Sequence, residues 1–261
     1  MHRRSFMALA GSSVVCGCGA VHQLPEVSSG NIAAARAEIR MAAPPLPRSV
    51  SDDEAARTLR TAIQLVRAPA GNLCREMDVG VCEWNFSLSR SSEMNAGASG
   101  YGQIVLNRGI VEYAANEEEV CLVVAHEIGH HAANHIARGT SNRMIGALIG
   151  IAVVGLIGAA AGSSPGADAT RSAARLGASI GGLSFSKEQE READYMAALI
   201  LYRAGVDLDK ARGLLVTMAA GEGRMATGFL DSHPAGPERV AAWDRAVAEI
   251  RASNGRLPQR A

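Results

Sequence analysis

His126 and His130 bracket Glu127 in Val124-Ala125-His126-Glu127-Ile128-Gly129-His130, an H-E-x-x-H pattern set in an apolar run. Two residues four apart share one face of a helix, so both imidazoles can grip a single zinc ion. Glu127 follows the first histidine and can reach a water on that metal, the position of a general base. The turn before it, Leu122-Val123-Val124-Ala125, is apolar, and Gly129 and Ala132 are small enough for close helix packing. Two accidental histidines on a surface helix would need no such buried setting. The pattern predicts one zinc per chain.

A catalytic zinc takes three protein ligands and keeps a fourth position open. His131 sits about 100° round the helix from His130, and His135 falls on another face. A metzincin would need glycine at 133 and histidine at 136, where Ala133 and Ile136 stand, so that class is excluded. The third ligand must come from a separate segment. The acidic stretch Ser186-Lys187-Glu188-Gln189-Glu190-Arg191-Glu192-Ala193-Asp194 is the natural donor, with Glu190 and Asp194 four apart on one face. One carboxylate there could bind metal while its neighbour accepts a hydrogen bond from a ligating histidine. The same charges would equally suit a solvated helix start.

These residues need a scaffold, and the pattern reads as mainly helical with one small sheet. Ser51 followed by three acids starts a helix running to about Arg67, with Ala55, Leu59, Ala62, Ile63 and Val66 as its stripe. Residues 79–107 read as strands, with a glycine-rich turn at Gly97 to Gly102 before Gln103-Ile104-Val105-Leu106-Asn107. That last strand, through Ile104 and Val105, is read as an edge that takes an extended peptide by strand addition, in preference to plain sheet core. Further helices are expected at 117–138 (carrying the metal motif), 187–204 (ended by Gly205), 208–219 and 237–252.

Composition narrows the function. The 261 residues suit one medium domain with appendages, at 51–252, followed by a tail at 253–261. Zero formal net charge implies no polyanionic partner, and 4% aromatics argue against nucleic-acid stacking, so no nucleic acid is expected. Residues 1–20 read as an export signal: Arg3-Arg4-Ser5-Phe6-Met7 resembles a twin-arginine pattern, and Val15-Cys16-Gly17-Cys18 an imperfect lipobox. Lipidation at Cys18 would tether the mature protein to the membrane; cleavage near Ala20 is the alternative. Residues 21–50, with Pro44-Pro45-Leu46-Pro47, read as a tether holding a short helix at 32–41. In an oxidising compartment Cys74 and Cys82 could pair, and Cys121 is a buried small hydrophobe.

Residues from about 81 to 243 resemble the HtpX and CAAX-prenyl-endopeptidase superfamily of zinc metallopeptidases, most closely its periplasmic BepA and LoiP branch. The resemblance rests on Asn95-Ala96, the strand Gln103 to Leu106, His126-Glu127-Ile128-Gly129-His130, His135, Glu190-x-Glu192-Ala193-Asp194, and His233-Pro234 with Arg239. It implies an α+β, zincin-like (gluzincin) fold with an active-site helix. It also implies Glu190 as third zinc ligand, Asp194 as the group orienting a histidine, and Asn95 in the substrate groove. His233 and Arg239 become candidate donors to the oxyanion, or His233 a resting occupant of the open metal position; His-Pro before a helix is otherwise a common turn. Gly97 departs from the aromatic or larger apolar residue usual after Asn-Ala, which alters the groove. The chain runs only a short way past Arg251, matching a LoiP-like single catalytic domain.

The glycine-rich insert at 144–183 includes an uncharged run, from Met144 to Ser164, long enough to cross a bilayer once. One crossing would separate His130 from Glu190, so a packed flap gating the site is preferred. The resulting expectation is a zinc endopeptidase of unfolded or misassembled proteins in the periplasm or cell envelope. The alternatives are a metal-binding chaperone-like protein with gated proteolysis, and an integral-membrane protease.

Overall fold

Among the described residues, the metal-motif helix is buried over almost its whole length. In the computed structural model it is α4, Glu117–Ala132, capped by the Asn116 side chain accepting from the Glu119 backbone N–H, with Glu117, Glu118 and Glu119 in its first turn. From Glu119 to Ala132 every residue is buried. Burying each Val, Leu or Ile side chain contributes about 1.5–3 kcal/mol, and the run Val120 to Val124 with Ile128 offsets the cost of burying His126, Glu127 and His130 beside it. The structure describes residues 20–43, 46–78, 82–99, 101–139, 166–168, 171, 185–221 and 233–261.

Before α4 come α1 (Ser29–Met41), α2 (Asp52–Met77), β1 (Asn85–Ser89), β2 (Ala96–Ser99), β3 (Gln103–Asn107) and α3 (Gly109–Tyr113). After it come α5 (Lys187–Ala204), α6 (Leu208–Ala211), α7 (Gly213–Gly221) and α8 (Pro237–Ala252). Helix α4 packs against α5 and α2, which also touch each other, and α8 closes over α5. A capping box of Ser186 with Gln189 starts α5, and Gly205 at φ 73° ends it. This mainly helical body with a small mixed sheet is an α+β, zincin-like arrangement.

The sheet order is β1-β3-β2, with β1 parallel and β2 antiparallel to β3. The expectation that β3 offers an edge is therefore corrected: both of its sides carry a strand. Ile104 is buried in the core, whereas Val105 is exposed on the other face; neither backbone is open to a peptide. The reading of Gly97 to Gly102 as turn is corrected too, because Ala96 to Ser99 pair with Gln103 to Leu106 as β2. The edge lying beside α4 is β2.

Residues 21–43 are not a free tether. Gln23 N–H donates to Gln259 O at 2.8 Å, Ala261 N–H to Val21 O at 2.8 Å, and Arg191 to Pro25 O at 2.8 Å. Helix α1 packs on α8 and α7, and Arg212 grips Glu38 through two contacts of 2.6 and 2.7 Å. Those long-range partners, including the C-terminal 259–261, have no local signature in the sequence. Helix α2 passes through Pro69 to Met77 because Ala70, Leu73, Cys74 and Met77 continue its buried stripe. Cys74 and Cys82 form a disulfide, and Cys121 is free and buried. Helix α4 stops at Ala132, with Asn134 at φ 60°, and a further helical segment follows at 135–139. The expected helix at 208–219 is two pieces, α6 and α7.

The expected export signal with Cys18 and most of the insert at 144–183 lie outside the described residues. Among the described residues no helix is long and apolar enough to cross a membrane.

Candidate metal centre

Four side chains converge in the interior: His126 and His130 from α4, Glu190 from α5, and His233 from the segment entering α8. Each can place one ligand atom within 4.8 Å of all the others, and all four residues are buried. Their approach depends on α4 and α5 lying very close. A Cβ built on Gly129 would lie 2.7 Å from the Ala193 carbonyl oxygen, so only glycine permits this spacing.

The proton arithmetic of the cluster asks for a cation. His126 Nδ1 lies 2.9 Å from Asp194 Oδ1, so it donates there and leaves Nε2 as a lone pair. His126 Nε2 and His130 Nε2 are 3.1 Å apart. Glu190 Oε1 is 3.3 Å from His130 Nε2, and Oε2 is 3.5 Å from His126 Nε2. His233 Nδ1 is 3.2 Å from His126 Nε2 and 3.0 Å from Glu190 Oε1. Lone pairs and a carboxylate thus face one small volume, a donor set suited to zinc. Without a metal that volume still favours positive charge. Burial opposes protonation of His126, but the bonds to Asp194 and Glu190 prevail and raise it to about 9. Burial holds His130 well below the usual imidazole range, leaving it neutral.

Arg239 backs the acids rather than facing the site. It donates from Nε to Asp194 Oδ2 at 2.9 Å and from Nη2 to Oδ1 at 2.8 Å, while Nη1 donates to the His233 and Pro234 carbonyls at 3.3 and 3.2 Å. Its Nη1 also lies 2.8 Å from Glu190 Oε2, an ion pair without hydrogen-bond geometry, so that buried oxygen keeps a lone pair for another partner. Arg239 thus spends most of its donors on orienting two carboxylates and a turn. Burial works against both acids, but the guanidinium leads the forces that hold Glu190 and Asp194 below their ordinary range.

Glu127 is fully buried, and neither carboxylate oxygen has a hydrogen-bond partner. Burial raises its pKa, and His233 Nε2 lies 3.6 Å from Oε1. An orphaned carboxylate of raised basicity beside a metal-binding set is suited to proton transfer. Phe185 stacks on His130, its ring centroid 3.8 Å away, and walls one side of the cluster.

His126, Glu127, His130, Glu190, Asp194, His233 and Arg239 are thus brought together; Ile104 and Val105 are not. Asn95 stands just before β2, its carbonyl accepting from Asn107 N–H at 3.0 Å. Sequence reasoning assigned no role to Glu192 or His22, and matched His135 without one. Glu192 lies about 200° round α5 from Glu190, which points it away from the metal face, and His22 is far off in sequence.

The family model Peptidase family M48 matches residues 64–247. No curated protein matches the chain.

Proposed function

The chain belongs to peptidase family M48, and from that premise we propose that it is a zinc-dependent endopeptidase of unfolded or misassembled cell-envelope proteins. The observation that carries the catalytic part is the orphaned Glu127 carboxylate beside the His126–His130–Glu190–His233 set. His126, His130 and Glu190 would hold the zinc. Bound there, it would supply Lewis-acid activation of a water and of the scissile carbonyl. Glu127 takes the water's proton as that oxygen attacks and delivers it to the departing amide nitrogen. Asp194 holds His126 in the tautomer whose Nε2 presents a lone pair, and Arg239 holds Asp194 and Glu190 in place.

His233 has its Nδ1 among the ligand atoms and its Nε2 toward Glu127. That favours a resting fourth donor that must swing aside when substrate enters, after which it can donate to the oxyanion. Since β3 is enclosed, β2 is the strand that an extended substrate would join, with Asn95 at its start. Gly97 has open space where a Cβ would be, which leaves room for a substrate side chain.

The envelope setting is supported by the export-like residues 1–20, by Cys18 and by the Cys74–Cys82 disulfide, since disulfides persist in oxidising compartments. Membrane attachment would then be through lipid on Cys18 or surface contact, in keeping with the BepA and LoiP branch. The test compares zinc content and cleavage of casein with cleavage of a tightly folded protein. One zinc per chain with selective loss of casein is expected; zinc without any cleavage would favour the chaperone-like alternative.

A further inference from the structure

Behind His130, on the side away from His126, runs a buried chain of contacts that the proposed chemistry does not use. His130 Nδ1 lies 3.0 Å from His135 Nδ1, and His135 Nε2 lies 2.9 Å from Glu192 Oε2. His130, His135 and Glu192 have no measurable exposure. The other oxygen of Glu192 receives the N-terminal segment: His22 Nδ1 at 2.6 Å, His22 N–H at 2.9 Å and Val21 N–H at 2.9 Å, the last also 3.0 Å from Oε2.

Proton bookkeeping gives this chain a direction. Two Nδ1 atoms in contact require one donor and one acceptor. If His130 presents its Nε2 lone pair to zinc, its proton sits on Nδ1 and is donated to His135 Nδ1. Neutral His135 then carries its proton on Nε2 and donates it to Glu192. A carboxylate can only accept, so Glu192 sets the sense of the entire chain. The arrangement parallels His126, whose Nδ1 ends directly on Asp194; here the carboxylate acts through an intervening imidazole. Helix α5 therefore supplies Glu190 to the metal, Asp194 behind one histidine and Glu192 behind the other.

We propose that His135 and Glu192 are positioning residues for His130, and that the docked segment Val21–His22 is the outer end of the same chain of contacts. The inference rests on the zinc reading above. Without Val21 and His22, Glu192 would lose three donors to Oε1 and be held through Oε2 alone, by His135 at 2.9 Å and the Arg138 guanidinium at 3.7 Å. The stretch expected to be a tether is thereby part of the metal centre, and undocking it loosens a zinc ligand some distance away.

The experiment is competitive zinc titration against a chromophoric chelator on the full chain, well below the unfolding temperature. It compares wild type with His135→Ala, Glu192→Gln, His22→Ala and, as a control, Arg48→Ala, which breaks only an exposed ion pair with Glu54. Loss of a metal's outer partners weakens binding about 10- to 100-fold. That range is expected for His135→Ala and Glu192→Gln, with a smaller but measurable weakening for His22→Ala and none for Arg48→Ala. A purely structural role would lower unfolding temperature with zinc affinity unchanged. Variants that bind zinc within twofold of a tight wild type overturn the positioning chain alone. A wild type that binds no zinc overturns the metal reading and this inference with it. If the two inner variants fail to fold, His22→Ala, which removes only a ring at the outer end, decides.

Discussion

Gly129→Ala tests whether the closeness of α4 and α5 builds the site. The new Cβ would stand 2.7 Å from Ala193 O, 3.2 Å from its Cα and 3.3 Å from its carbonyl carbon. Against an ordinary contact of about 3.5 Å, the helices must part by several tenths of an ångström, because backbone cannot rotate out of the way. Overpacking of this kind costs about 1–3 kcal/mol, while glycine to alanine within a helix returns up to about 1 kcal/mol. The middle of the first range, less the full helix gain, leaves a net loss of about 1 kcal/mol. At about 2–4 °C per kcal/mol for a domain of this size, unfolding should drop by roughly 2–4 °C. The same separation carries Glu190 and Asp194 away from His126 and His130, so zinc should bind about tenfold more weakly. Circular-dichroism melting and chelator competition measure both. An unchanged or raised melting temperature with wild-type zinc affinity would refute the argument, since helix propensity would then be acting alone.

Arg239→Met should destabilise the metal-free protein by about 3–5 kcal/mol, because it leaves Glu190 and Asp194 as uncompensated buried charges. Zinc should recover much of that loss, which melting with chelator and with added metal would reveal. Reducing the Cys74–Cys82 bond should cost about 2–3 kcal/mol, as expected for a short closed loop, seen as a lower melting temperature with dithiothreitol. Glu192 is held down to about 2: burial pushes its carboxyl up, but His135 and His22 outweigh it. Its contribution is thus complete above its unfolded value of 4.5 and is lost as pH falls towards 2. In Glu192→Gln the stability–pH curve should be flatter over that acid window.

What the sequence disclosed was local or periodic. The pentad His126 to His130 places its ligands by helix geometry alone, and Ser186, Gly205 and Pro237 mark helix ends with residues chosen by backbone chemistry. Glu190 was only one of two equal readings until the family resemblance weighed in, since a helix start rich in acids is as often solvated. The order β1-β3-β2 was not legible, because a parallel pair with a hairpin strand outside it leaves the same alternation as a simple meander. Ile104 and Val105 were misjudged for that reason. The docking of Val21 and His22 on Glu192 was hidden for another: it joins residues 170 or more apart, and no local preference encodes it. Arg239 was found by motif, but its role depends on three donors meeting Asp194 and two carbonyls, which only the folded geometry supplies.

The most direct test of the account is zinc content measured beside casein cleavage for wild type, Glu127→Gln and Glu190→Ala. The expected result is one zinc and cleavage in wild type, zinc retained with cleavage abolished in Glu127→Gln, and zinc lost in Glu190→Ala. Cleavage surviving in Glu127→Gln, or full zinc in Glu190→Ala, would contradict the central claim that these two carboxylates divide the work of base and ligand.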